Sequence, residues 1–154
     1  MSSSGDKRKG VLVIGVGNPL RSDDGAGPCV VEQIEAKHWP GIDTWIVQQL
    51  QLEDLDRMLA YDQVILVDAS VSGPPLDFRP LEKSSRQTLP SSHHLSAELF
   101  VNLASEIYHK ELRLHLCSIK GISFEVGDRL SAAVQRRAGQ AVDLINGFIK
   151  KGQA

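Results

Sequence analysis

Five side chains in this 154-residue sequence have the types and spacing that metal or acid–base chemistry needs: Asp23, Asp24, Asp68, His93 and His94. Asp23 and Asp24 are adjacent, near the end of a glycine-rich stretch, Gly15-Val-Gly-Asn-Pro-Leu-Arg-Ser-Asp-Asp-Gly-Ala-Gly27. Neighbouring carboxylates repel, so a metal, a proton or a helix N-terminus is expected to offset them. Asp68 ends the apolar run Gln63-Val-Ile-Leu-Val67, and His93-His94 lie in a polar loop before an amphipathic segment. Asp24, Asp68 and one histidine of the pair would offer two hard oxygens and one imidazole. That set suits a divalent first-row metal such as zinc, nickel or manganese with positions left open. An all-oxygen calcium or magnesium site would not need the histidine. Two aspartates sharing one proton is the other arrangement the residues allow. Each residue also has a plainer reading. Asp23 or Asp24 could cap a helix, Asp68 could be a turn residue, and the histidine pair could be solvated surface. His38, His109 and His115 read as structural or exposed.

Other motifs fail on their details. Gly15-Val-Gly17 opens like a dinucleotide fingerprint, but Leu20 stands at the third glycine position and two carboxylates occupy the place of a pyrophosphate. No Gly-Lys-Ser/Thr ending makes a P-loop, and no serine sits in a GxSxG elbow. A phosphoacceptor receiver domain would pair Asp23/Asp24 with Asp68 and Lys120 in that order. Against it, Gly17 to Ser22 separate the acid pair from the first strand, and the usual Met-Pro is missing just after Asp68.

The elements that must position these groups are legible from periodicity. Val11–Val16 and Gln63–Val67 are continuous apolar runs, as in strands buried on both faces. Ala26, Val30 and Ile34 recur at helical spacing, and Pro28 restricts that helix to a start near Asp24–Gly27. Thr44–Leu50 reads as a strand and Leu52, Leu55 and Leu59 as a short helix. Leu76–Leu81 reads as an edge strand, because Pro80 cannot donate to a ladder. Leu99, Phe100, Leu103, Ala104 and Ile107 mark a long helix with Ser96 as its predicted cap, followed by a strand at Leu112–Cys117. Val134, Ala138, Val142, Ile145 and Ile149 line one face of a last helix beginning after Ser131. Strands alternating with helices predict a single α/β domain over 11–152, a twisted, mostly parallel sheet with helices on both faces, preceded by a disordered tail over 1–10. Ligands in such folds bind beyond the carboxyl ends of the strands, where Asp23, Asp24, Asp68 and the His93-His94 pair would converge.

The bulk composition is that of an ordinary globular protein, with a net charge of -2 that gives no field for nucleic acid or an acidic membrane. Cys29 and Cys117 are far apart and form no CxxC pair, which fits a reducing compartment. No apolar run approaches the length of a membrane span. A cytoplasmic monomer is the expectation.

The stretch Gly15–Gly27 closely resembles the GxGNxLxxDDGxG signature of the hydrogenase maturation proteases. Val64-Ile-Leu-Val-Asp-Ala69 resembles their second acidic motif, and Ser91-Ser-His-His-Leu95 their histidine motif. Gly121-Ile-Ser-Phe-Glu-Val-Gly-Asp-Arg-Leu-Ser131 is similar to their segment before the last helix. The resemblance implies an endopeptidase that removes a C-terminal extension from the nickel–iron hydrogenase large-subunit precursor after nickel insertion. It implies Asp24, Asp68 and His93 as metal-binding and catalytic residues, with His94 flanking. The nickel would be carried in by the substrate, and other divalent metals are expected to occupy the site in vitro. Asp23 then reads first as an N-cap and second as a general base. Gln48–Glu53 replaces the glycine-rich stretch of some members, which leaves the hydrogenase type open. Two alternatives stand beside this reading: the receiver domain, and a nickel-binding maturation chaperone without peptidase activity.

Overall fold

The computed structural model describes residues 8–83 and 93–153, and of 93–96 and 153 the backbone alone. Strand β1 (Lys9–Val16) leads through a 3-10 turn (Ser22–Gly25) into helix α1 (Ala26–Lys37) and strand β2 (Ile42–Val47). Helix α2 (Asp54–Met58), strand β3 (Tyr61–Ser70) and strand β4 (Leu76–Leu81) follow. Helix α3 (His93–Glu106), strand β5 (Leu114–Lys120) and helix α4 (Ala132–Gln153) complete the order. The strands form one sheet, β2-β1-β3-β5-β4, parallel except for β4. The predicted mostly parallel α/β sheet with helices on both faces is therefore observed.

Alternation along the central strands builds two cores. Leu12, Ile14, Val64, Leu66, Leu114 and Leu116 face one side and pack with Leu55 and Met58 of α2 and Phe100 and Ala104 of α3. Val13, Ile65, Val67, Cys117 and Ile119 face the other and meet Val30 and Ile34 of α1 and Val134, Ala138 and Ile145 of α4. This period-two split explains why β1 and β3 are apolar at every position. The antiparallel β4 is an edge strand, as Pro80 required.

Several boundaries differ from the sequence reading. β1 begins at Lys9, inside the segment read as a tail, because Lys9 pairs with Tyr61 and its ammonium lies 5.6 Å from that ring. β2 ends at Val47, whose carbonyl takes the Gly17 N–H at 2.9 Å where β1 turns away. β3 runs through Asp68 to Ser70 instead of ending there, since Asp68 pairs in the ladder with Ser118. Leu112 is buried but precedes β5. α3 starts at His93, so Ser96 lies inside the helix and is not its cap, and His93-His94 open the helix rather than sit in a loop. Among the described residues no helix is long and apolar enough to cross a membrane.

Candidate functional site

The sheet reverses its strand order between β1 and β3, with β2 on one side and β3, β5 and β4 on the other. A crevice opens at the carboxyl ends of such strands. Val16, the last residue of β1, pairs with Asp68. Asp68 is 3% exposed, and its even position in β3 aims it to the α2/α3 face with Val64 and Leu66. Asp24 sits half-buried in the 3-10 turn that follows β1. The two carboxylates thus stand at the same end of neighbouring strands.

Glycines allow this crowding. Gly17 has φ +145, a left-handed conformation that side chains rarely adopt, and a Cβ there would lie 2.0 Å from the Asp24 carbonyl oxygen. A Cβ on Gly27 would meet the Val67 carbonyl oxygen at 2.3 Å and that of Val16 at 2.8 Å. The first turn of α1 is therefore pressed directly onto the backbones of β1 and β3. The space beside these glycines is filled by neighbouring backbone of the chain itself.

The adjacent aspartates do different work. Asp24 Oδ2 accepts the Asn18 N–H at 2.8 Å, which closes the loop on itself. Asp23 is fully buried, and its carboxylate bonds to the segment 122–131. Its Oδ2 accepts the N–H of Ile122 at 2.7 Å and of Ser123 at 2.9 Å, and its Oδ1 accepts the N–H of Ser131 at 2.8 Å. The Ser131 hydroxyl reaches both oxygens at 3.1 and 2.9 Å. Burial pushes the Asp23 carboxyl upward, but the N–H donors of Ser123, Ser131 and Ile122 outweigh it and hold it below the ordinary aspartate value. A charge-assisted cluster of this kind stabilises the anion that the sequence reading assigned to a metal, a proton or a helix end.

Asp23 is therefore not the N-cap of α1. Gly25 holds that position and makes no side-chain cap bond. A saturated, low-pKa carboxylate is also a poor general base. It neither shares a proton with Asp24 nor supplies a second acid for a phosphoacceptor site. What it does is clamp the segment 121–131 onto the loop that carries Asp24. The clamp is reinforced by Asp23 N–H to the Ser123 carbonyl at 2.9 Å, Ser22 N–H to Gly127 at 2.8 Å, and Gly127 N–H to Leu20 at 2.9 Å. The Ser22 hydroxyl donates to the Glu125 carbonyl at 2.8 Å, which holds Ser22 at φ +53. Asn18, Ser123 and Ser131 fall within the motifs Gly15–Gly27 and Gly121–Ser131, but nothing in the sequence assigns them these bonds to Asp24 and Asp23.

His93 is the first residue of α3, and its side chain, like that of His94, lies outside the described residues. Among the described residues no cluster of three His, Cys, Asp or Glu is placed to hold a metal, and Asp24 and Asp68 are the described part of the expected set. The remaining histidines are structural or peripheral. His115 packs its ring 5.1 Å from Phe78 and 4.3 Å from Phe148, and burial lowers its pKa. His38 closes α1 in a left-handed conformation, and His109 follows α3. Lys120 ends β5, where its N–H goes to Pro75.

No protein-family model matches the chain. It is 28% identical, over 94% of its length and 99% of the other's, to a Methanocaldococcus jannaschii protein provisionally assigned as a hydrogenase maturation protease. The crystal structure of a hydrogenase 2 maturation peptidase from Thaumarchaeota archaeon SCGC_AB-539-E09 is similar at TM-score 0.67 and 30% identity, covering 93% of this chain and 98% of that one. The fold also matches the hydrogenase maturating endopeptidase HybD of E. coli at TM-score 0.74, with 22% identity and 95% and 94% coverage.

Proposed function

The chain belongs to the hydrogenase maturation proteases, a family of endopeptidases, and on that premise we propose that it removes the C-terminal extension of a nickel–iron hydrogenase large-subunit precursor that already carries nickel. Asp24 and Asp68, with His93, are the groups that dock onto the metal brought in by the substrate. Three ligands leave positions for the substrate's own ligands, so the metal-loaded precursor is selected by its geometry. The metal bound in this way would polarise the scissile carbonyl, and a carboxylate it leaves free would take the proton of the attacking water. The single observation that carries this reading is the division between the adjacent acids. Asp23 is consumed by the donors of 122, 123 and 131, while Asp24 takes the Asn18 N–H in the turn after β1, whose last residue pairs with Asp68.

The test is removal of the extension from nickel-loaded precursor, read by intact mass. Asp24→Ala, Asp68→Ala and His93→Ala are each expected to abolish it, and nickel-free precursor is expected to stay uncut. Normal processing by the Asp68→Ala variant would refute the proposal. A wild-type chain that binds loaded precursor without cutting it would point instead to a chaperone.

A further inference from the structure

Large apolar side chains in water are ordinary when scattered singly, but four of them here lie on segments that backbone hydrogen bonds join. Leu20 is 64% exposed, Val71 78%, Ile122 64% and Val126 93%. Backbone hydrogen bonds between adjoining residues string them together. The Gly127 N–H reaches the Leu20 carbonyl at 2.9 Å, which sets Val126 beside Leu20. The Gly121 N–H reaches the Ser70 carbonyl at 2.9 Å, which sets Ile122 beside Val71. The strip so formed starts in the loop that carries Asp24 and ends three residues beyond Asp68.

The strip is built on a fixed backbone. Ile122 and Val126 belong to the segment that Asp23, Ser22 and Arg21 hold through side-chain or backbone bonds to 122, 123, 124, 125, 127 and 131. Phe124 of the same segment is turned inward against Gly121, so the outward placing of Ile122 and Val126 is not a failure to pack. A surface ordered beforehand binds without the entropic cost of ordering it. The charges interleaved with it, Arg21, Glu125, Asp128 and Arg129, balance, so it fits an apolar partner rather than a charged one.

We infer that Leu20, Val126, Ile122 and Val71 form the docking surface for an apolar stretch of the folded precursor that flanks its cleavage point. This rests on the proposed processing of that precursor and names what holds it beside Asp24 and Asp68. The experiment measures affinity for nickel-loaded precursor with Val126→Ser and Ile122→Ser. Both side chains are exposed, so thermal melting is expected to stay unchanged. Each variant is expected to bind about tenfold more weakly, the effect of uncovering one aliphatic side chain. Ile107→Ser, an equally exposed residue just past α3, is expected to bind as wild type does. A wild-type chain that processes the precursor while both strip variants bind as tightly as it does would overturn the docking surface and leave the proposed function standing. Self-association of the wild type that Val126→Ser abolishes, with precursor affinity intact, would overturn it in favour of a second copy of the chain. A wild type that never processes loaded precursor overturns the functional reading and the strip with it.

Discussion

Replacing Asp23 with alanine removes a buried anion and leaves its donors behind. The three backbone N–H groups of Ile122, Ser123 and Ser131, bonded at 2.7, 2.9 and 2.8 Å, and the Ser131 hydroxyl lose their acceptor together. A buried donor without a partner costs about 1–3 kcal/mol. Ile122 is exposed and Ser123 half-buried, so water can satisfy some of the four. The expected loss is therefore about 3–5 kcal/mol, a large part of the roughly 5–15 kcal/mol that holds a domain folded. For a chain of this size that corresponds to a fall in Tm of about 6–20 °C. Asp23→Asn keeps one acceptor oxygen but sets an amide N–H₂ against donors, so about 2–3 kcal/mol is expected. The pH dependence follows from the direction of the pKa shift. Hydrogen bonding holds the folded carboxyl below its unfolded value, so between the two values the unfolded chain binds more protons. The stability Asp23 contributes is complete above the unfolded value and is lost as pH falls through the folded one. Urea denaturation of wild type and Asp23→Ala should show a constant difference from about pH 7 to 5 that shrinks below about pH 4. A difference under about 1 kcal/mol at pH 7, or one that does not shrink in acid, would refute the clamp.

Gly27→Ala should lower stability by about 3 kcal/mol or more in the same assay, because its Cβ meets the Val67 carbonyl oxygen at 2.3 Å with backbone on both sides. His115, whose burial lowers its pKa, should make stability fall as pH drops below about 6.5, the unfolded value, and level off below the folded one; a His115→Gln variant should lose that slope in thermal melts from pH 7 to 5. Iodoacetamide should alkylate half-buried Cys29 well before Cys117, which is fully buried with its thiol pushed up to about 12; equal rates by peptide mass mapping would contradict this.

What the sequence discloses depends on range. The apolar runs of β1 and β3 and the face of α4 from Val134 to Ile149 are local patterns, and the structure buries them as read. The spacing of Gly15 and Gly27 is local too, and it marks where α1 touches the sheet. The role of Asp23 is not local. Its partners lie about a hundred positions downstream, at |i−j| of 99 to 108, and a carboxylate before a helix has the same sequence signature whether it caps that helix or binds a distant loop. Asp68 looked like a strand end because carboxylates favour turns, yet its backbone continues the β3–β5 ladder. The start of α3 was missed because helical periodicity becomes visible only where core residues begin, and Ala97 is the first of these.

Under the proposed function Asp24 faces the substrate's metal while Asp23 holds the fold. Nickel-edge anomalous difference density from crystals of this protein soaked in nickel separates the two roles. One strong peak ligated by Asp24, Asp68 and His93 is expected, with Asp23 still bonded to Ile122, Ser123 and Ser131. A peak on Asp23, or one elsewhere that leaves Asp24 and Asp68 unligated, would contradict it.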